Sequence, residues 1–260
     1  MKAIFFDLDG TLVHDNKISE ENIAAMNKVQ AAGHKLIMNT GRSAAFIPQV
    51  AAECVKWDGR ICGNSYIEYG GEVLERKVME REQLAFLYDF CEKKRIPCKF
   101  EGEEAIYTME FDEKKDNVLQ YELERYRDVY PWKTMQKEYI EQGEALLVTK
   151  MTLCEPIDKK YHNCFPGMYV IDMGHYAEIV CNGYTKATGM ELISKKLGIG
   201  VEDTVVFGDS MNDTDMLKYA GTSVIMPHSL KMLDEISTFR VTSETDGVAV
   251  GLYEIFSELR

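Results

Sequence analysis

The chain has 260 residues, 45% of them hydrophobic, which is enough for one large domain or for a core domain with an inserted module. Its formal net charge of −13 at pH 7 argues against a nucleic-acid partner, because binding to a phosphate backbone depends on clustered Lys and Arg. The sequence contains no stretch typical of a membrane span or a signal peptide, and its seven cysteines form no Cys-x-x-Cys pair. We therefore expect a cytoplasmic protein with no membrane partner, no disulfide framework and no zinc cluster.

The first part of the chain alternates between predicted strands and helices. The predicted strands, each a short hydrophobic run, are residues 2–6, residues 35–39 and a strand from residue 60 that leads to a hairpin around Gly70-Gly71. The predicted helices are residues 20–32, 44–53 and 81–94. For the first helix, Ser19 is a favourable N-cap and Gly33 a suitable terminator.

The middle of the chain interrupts this alternation. From residue 95 to about residue 182, short strands mix with charged helical stretches, and the sequence shows no cluster of catalytic type. Alternation then returns, with a helix over residues 188–197 that ends at Gly198, a strand over 204–207, a helix over 214–219 and a helix after Asp246.

The pattern as a whole predicts an α/β fold: a doubly wound parallel sheet, as in Rossmann-like cores, with an inserted α/β cap. We assign residues 1–80 and 184–260 to the core and residues 81–183 to the cap. The active site of such a sheet lies at the carboxyl ends of its strands.

The segment Asp7-Leu8-Asp9-Gly10-Thr11-Leu12 follows the first predicted strand directly. Residues two apart in an extended chain point the same way, so the carboxylates of Asp7 and Asp9 repel each other unless a cation lies between them or one is protonated. An Asp-Gly turn after a strand is the simpler alternative.

The same segment resembles the first motif of the haloacid dehalogenase superfamily, Asp-x-Asp-x-Thr, in its phosphatase form. Three later segments are similar to the other motifs of that family, in the same order: 35–42 (KLIMNTGR), 178–186 (EIVCNGYTK) and 205–213 (VVFGDSMND). The long insertion between the second and third motifs resembles the cap of the Cof-type, or subfamily IIB, phosphatases.

This resemblance implies a chemistry for particular residues. Asp7 would be the nucleophile and Asp9 the general acid and base, and Mg²⁺ would be held by Asp7, Asp209 and the backbone carbonyl of Asp9. Asp213 would support the site by pairing with Lys186 or with a water on the metal. The residues expected to bind the phosphate or the substrate are Leu8, Thr40, Gly41, Arg42, Lys186 and Asn212.

The implied activity is magnesium-dependent hydrolysis of a small phosphorylated metabolite, such as a sugar phosphate, by a monomer or homodimer. A phosphosugar mutase on the same core and a module that binds phosphate or accepts a phosphoryl group without turnover remain open alternatives. Taken singly, the motifs also have simpler interpretations: Thr40-Gly41-Arg42 as a helix cap, Lys186 as a solvated helix residue, and Asp209 and Asp213 as caps of the following helix.

Overall fold

A computed structural model describes residues 1–113 and 117–259. The chain divides into two compact units. The core unit consists of Met1–Gly41, Ile47–Glu75 and Tyr184–Arg260, and the cap unit consists of Arg42–Phe46 and Arg76–Gly183. The short segment Arg42–Phe46 thus packs with the cap unit although it lies within the N-terminal part of the chain. The domain boundaries expected from the sequence stay a prediction.

The strands and α-helices of the described chain have the following bounds. The strands are β1 (Ala3–Phe6), β2 (Lys35–Thr40), β3 (Gly59–Cys62), β4 (Tyr66–Tyr69), β5 (Glu72–Arg76), β6 (Cys98–Gly102), β7 (Ile106–Met109), β8 (Trp132–Thr134), β9 (Val148–Leu153), β10 (Met168–Asp172), β11 (Ala177–Cys181), β12 (Thr204–Gly208), β13 (Thr222–Ile225) and β14 (Phe239–Arg240). The α-helices are α1 (Glu20–Ala31), α2 (Gln49–Glu53), α3 (Arg81–Lys94), α4 (Val118–Tyr126), α5 (Lys137–Glu141), α6 (Lys186–Leu197), α7 (Thr214–Tyr219) and α8 (Gly247–Ile255). None of the helices in residues 1–113 and 117–259 combines the length and the apolar character needed to cross a bilayer.

The core unit contains an eight-stranded sheet in the order β14-β13-β12-β1-β2-β3-β4-β5. The strands from β14 to β3 pair in parallel, and β4 returns antiparallel to β3. Because β1 lies between β2 and β12, the residues at the carboxyl ends of these three strands meet at one edge of the sheet. Asp7 follows β1, Thr40 ends β2 and Asp209 follows β12.

Both faces of this sheet are covered, as a doubly wound fold requires. Along β1, Ile4 and Phe6 join one apolar cluster, while Ala3 and Phe5 join a cluster on the opposite face. All four side chains are inaccessible to solvent. Helices α1 and α8 contribute to the first cluster, and α6 and α7 contribute to the second. The predicted α/β fold is confirmed.

The cap unit contains a six-stranded sheet in the order β10-β11-β9-β6-β7-β8. Its strands are antiparallel except for the pair β7 and β8. Phe100, Met151 and Ile179 lie opposite one another on β6, β9 and β11 and form a buried apolar row. The residues next to them in sequence point to the other face, which carries charged side chains.

Most predicted elements match these bounds. Helix α1 begins after Ser19, whose side chain accepts a hydrogen bond from the backbone N–H of Asn22, and α3 has the predicted ends. The hairpin turn lies at Gly70 and Gly71, both with positive φ, as a tight two-residue turn requires.

One predicted helix is wrong in part. Residues 44–53 form a single 3₁₀ turn at Ala44–Phe46 and a separate short helix, α2, whose N-cap is Pro48. Proline disfavours helical geometry in the residue before it and cannot donate a backbone hydrogen bond, so the helix cannot run through this point. Helix α6 in turn begins two residues earlier than predicted, at Lys186, because Thr185 and Thr188 cap it reciprocally.

Candidate functional site

The site begins where β1 and β12 end side by side. Phe6 of β1 lies opposite Phe207 of β12, and the next N–H, that of Asp7, donates to the carbonyl of Phe207 over 3.0 Å. This bond fixes the backbone of Asp7 at the sheet edge. Asp7 is 4% exposed, so its carboxyl group lies almost out of contact with solvent.

The chain then turns sharply after Asp7. The carbonyl of Leu8 accepts hydrogen bonds from the N–H groups of Thr11, Leu12 and Val13. Gly10 has φ +82°, and a Cβ there would lie 2.7 Å from Oδ2 of Asp209. Glycine is therefore required at this position for two reasons: the backbone is left-handed, and the Asp209 carboxylate approaches closely.

Lys186 lies at the centre of the site. It is the first residue of α6, and its Nζ donates to Oδ1 of Asp7 and, over 2.6 Å, to Oδ1 of Asp213. The side chain is 2% exposed, so the alternative of a solvated helix lysine is wrong. Although burial lowers the pKa of Lys186, the two carboxylates outweigh it and hold the pKa above its ordinary value. Lys186 is therefore a permanent cation between two acids.

Asp213 uses both carboxylate oxygens within the core unit. Oδ1 accepts from Lys186, while Oδ2 accepts from the backbone N–H groups of Asp209 over 2.9 Å and Ser210 over 3.1 Å. Asp213 is fully buried. It thus orients the lysine and shapes the loop that follows β12, and its contact with Lys186 corresponds to one of the two alternatives expected for it.

Asp209 completes a group of three acids. Thr11 Oγ1 donates to Oδ1 of Asp209 over 2.9 Å. One carboxylate oxygen from each of Asp7, Asp209 and Asp213 lies within 4.8 Å of the other two. Burial raises the pKa values of Asp7 and Asp209, and the nearby acids raise them further, while Lys186 counteracts this. A divalent cation would relieve that repulsion and allow full ionisation.

The remaining predicted phosphate-binding residues of the core unit are spread around this group. Thr40 is buried at the end of β2. A Cβ atom added to Gly41 would lie 3.9 Å from Nδ2 of Asn212. Asn212 is exposed and accepts a hydrogen bond from Ser210 Oγ over 2.7 Å. Asn39, which the sequence analysis did not single out, is fully buried, and its Nδ2 donates to the carbonyl of Lys186 over 3.2 Å.

Three predicted residues have surroundings that restrict their roles. The side chain of Leu8 is fully buried in the apolar core, so only its backbone can face a ligand. Asp9 is exposed, next to buried Asp7. Arg42 belongs to the cap unit, where its Nη1 donates to the carbonyl of Phe46 over 3.1 Å and its guanidinium lies 4.9 Å from the centre of the Phe46 ring.

A histidine close to Asp209 was not found from the sequence. His228 Nε2 lies 3.6 Å from Oδ2 of Asp209, and its Nδ1 lies 2.8 Å from Oε2 of Glu244. The five histidines show no ligand spacing in the sequence. This contact depends on chain segments separated by many residues, and no local pattern predicts it.

Comparison with known proteins shows the family of this chain. The family model described as haloacid dehalogenase-like hydrolase matches residues 4–252. The Bacillus subtilis protein YkrA is 26% identical over 262 residues, which cover 98% of this chain and 97% of that protein. The 5-amino-6-(5-phospho-D-ribitylamino)uracil phosphatase YcsE of the same organism is 24% identical, with 96% of this chain and 93% of YcsE covered.

A solved structure is similar to this chain over nearly its whole length. The structure of BT4131, described as a sugar phosphatase of subclass IIB of the same superfamily, superposes with a TM-score of 0.80 at 27% identity and covers 99% of both chains. The match extends from before Asp7 to beyond Asp213 and therefore includes all four motifs. The chain belongs to the haloacid dehalogenase-like hydrolases and is an enzyme related to the Cof-type, subclass IIB phosphatases.

Proposed function

We propose that the protein is a magnesium-dependent phosphatase that hydrolyses a small phosphorylated metabolite through an aspartyl-phosphate on Asp7. The observation that carries this proposal is the contact of one buried ammonium, Lys186, with Asp7 and Asp213, while Asp209 lies beside them. When the three acids are ionised, the group has two more negative than positive charges. A carboxylate surrounded in this way is suited to bind a dication and a phosphoryl group together.

The side chains fit Mg²⁺. It prefers oxygen ligands and is usually held by one or two carboxylates together with waters and phosphate oxygens. Asp7 and Asp209 would supply the carboxylates, and the carbonyl of Asp9 a third oxygen. Asp213 is a poorer candidate, because both of its oxygens already accept hydrogen bonds. When bound, the ion supplies positive charge to the phosphoryl oxygens.

Asp7 and Asp9 would divide the chemistry. In the first step an Asp7 oxygen attacks phosphorus, the P–O bond of the ester breaks, and the Asp9 carboxyl group gives its proton to the leaving oxygen. In the second step the Asp9 carboxylate takes a proton from water as the water oxygen attacks phosphorus. Inorganic phosphate leaves and the carboxylate of Asp7 is regenerated. The exposed position of Asp9 allows it to exchange protons between turnovers.

Lys186 has two functions in this scheme. Its ammonium counteracts the burial and the neighbouring acids that raise the pKa of Asp7, and it offers positive charge to the transferred phosphoryl group. Thr40, the N–H of Gly41 and the amide of Asn212 would bind the same group from the other side, and Leu8 would contribute only its N–H. Arg42 stays a predicted substrate-binding residue, and its Nη1 donates to the carbonyl of Phe46 and to the hydroxyl of Tyr130.

A phosphate-release screen tests the proposal. Wild-type protein should release phosphate from several small phosphomonoesters with Mg²⁺ and from none in EDTA, and Asp7→Asn should release none while unfolding at least as late as the wild type. The variant removes one of three mutually repelling acids, so the metal-free fold should not suffer. Absence of release from every ester, including p-nitrophenyl phosphate, would contradict the proposed activity.

A further inference from the structure

Strand β2 places an amide side chain in the apolar layer between the core sheet and helices α6 and α7. Ile37 belongs to the buried cluster on the face that these helices cover, and Asn39, two residues further along the strand, points to the same face. Asn39 is 0% exposed. Burial of an amide costs free energy unless its polar atoms are hydrogen-bonded, so the presence of asparagine here needs a reason.

The amide of Asn39 contacts the beginnings of both helices. Its Nδ2 donates to the carbonyl of Lys186, the first residue of α6, over 3.2 Å, and lies 3.4 Å from Sδ of Met216 in the first turn of α7. A carbonyl oxygen and a thioether sulfur are both acceptors, so the nitrogen of the amide is the atom that faces them. Asn39 therefore connects the sheet to the starts of two helices.

These two helix starts also carry the central ion pair of the site. Lys186 begins α6, Asp213 directly precedes α7, and Nζ of Lys186 donates to Oδ1 of Asp213 over 2.6 Å. The separation of the two helices at this end therefore sets the position of the ammonium relative to Asp213 and Asp7. A side chain that contacts both helix starts is well placed to fix that separation.

Two other features hold α6, but neither of them acts on the residue that carries the ammonium. Thr185 and Thr188 cap the first turn reciprocally, which fixes its local backbone and not its distance from the sheet. A Cβ atom added to Gly189 would lie 2.6 Å from the side chain of Ile61, so the helix packs directly on β3 at that point. Asn39 adds a contact from β2 at Lys186 itself.

The oxygen of the Asn39 amide argues against a role in stability alone. Oδ1 is buried and accepts no hydrogen bond within residues 1–113 and 117–259. A buried acceptor without a partner destabilises a fold, and leucine has nearly the same shape without polar atoms. The carbonyl of Lys186 would still accept from the N–H four residues further along α6. The amide therefore adds little to the free energy of unfolding, and its benefit lies in what it orients.

We propose that Asn39 is a positioning residue for phosphoryl transfer: its Nδ2 holds the start of α6, so that Lys186 stays directed at Asp7 and Asp213. Asn39 would not contact the substrate and would act only through the lysine. This inference deepens the proposed function and rests on it for the effect on turnover. The hold on α6 is independent of any activity and can be tested separately.

Asn39→Leu removes the amide donors and the unbonded oxygen and keeps the shape of the side chain. We expect kcat for p-nitrophenyl phosphate to fall about 10- to 100-fold, the lower value from a lost hydrogen bond and the upper value from a displacement of about 1 Å. KM should change much less, because the lysine acts mainly in the transition state. The urea midpoint should equal or exceed that of the wild type. Met38→Leu, on the opposite face of the same strand, is the matched control and should keep the wild-type kcat.

Hydrogen exchange measures the hold on α6 without turnover. In Asn39→Leu the backbone amides of α6 should exchange about 2- to 10-fold faster, the factor that one neutral hydrogen bond is worth, whereas those of α1 should not change.

Three results would overturn the inference. An unchanged kcat would show that the amide is not needed to position the lysine. A lower urea midpoint, or a variant that does not fold, would make the amide structural, and wild-type exchange in α6 would show that it does not hold the helix. If the wild type releases phosphate from no ester, the proposed function fails together with the effect on turnover, and the exchange of α6 still decides whether Asn39 holds that helix.

Discussion

Replacement of Lys186 by Met should be among the most destabilising single changes in the core unit. The ammonium neutralises Asp7 and Asp213, which are 4% and 0% exposed, and Met fills a similar volume without the charge. Breaking a buried ion pair by removing one partner costs about 3–5 kcal/mol, because the other charge stays buried and uncompensated. Since two acids lose their partner here, we expect a loss near the upper value, about 5 kcal/mol, against a typical total stability of about 5–15 kcal/mol.

Urea unfolding in EDTA measures this loss without interference from metal binding. Lys195→Met is the matched control, because Lys195 is exposed on the same helix, and it should change the stability by less than about 0.5 kcal/mol. The double variant Lys186→Met/Asp213→Asn should recover at least about 1 kcal/mol relative to Lys186→Met alone, because contacting charges couple by about 0.5–3 kcal/mol. A loss below about 1 kcal/mol, or a double variant that is less stable than the single one, would refute this account of the site.

Three further changes probe separate parts of the molecule. Asp209→Asn should need far more Mg²⁺ for half-maximal phosphate release, since a hard cation loses an anionic oxygen ligand; an unchanged Mg²⁺ titration would exclude Asp209 from the metal site. Asp9→Asn should slow hydrolysis of sugar phosphates by about 10²–10⁴-fold and that of p-nitrophenyl phosphate less, because an aryl leaving group needs little protonation; equal losses in kcat on both would argue against an acid role. His34 has its pKa lowered by burial and by the N-terminal amine, so the folded state binds fewer protons than the unfolded state and stability should fall as the pH drops below 6.5. Urea unfolding across that range should show this slope in the wild type and lose it in His34→Gln.

The core of this enzyme could be predicted because the relevant signals lie in short stretches of sequence. Each motif residue follows a short hydrophobic run, and parallel strands bring their carboxyl ends to the same edge, so Asp7, Thr40 and Asp209 could be placed without knowing any tertiary contact. The interrupted helix over residues 44–53 was also visible in the sequence, at Pro48. Proline disfavours helical geometry in the residue before it, so one continuous helix over these residues conflicts with the sequence itself.

The charged face of the cap sheet could not be predicted in the same way. Lys99, Lys150 and Glu178 come from three strands, β6, β9 and β11, and they share a face only because of the antiparallel register of those strands. A shift of one residue in that register would turn each side chain to the other face. Neither the pairing nor the register has a short-range signal in a stretch where charged residues are common, so each lysine resembles an ordinary surface residue until the sheet is assembled.

The acids of the core site outnumber its cations, although the protein itself is already acidic. In the core unit, three acids lie together and one ammonium contacts two of them, so the excess negative charge would favour a dication, which would in turn offset the net charge of −13 for an anionic phosphoryl group. Charge would therefore govern the affinity for the phosphate, which all candidate substrates have in common.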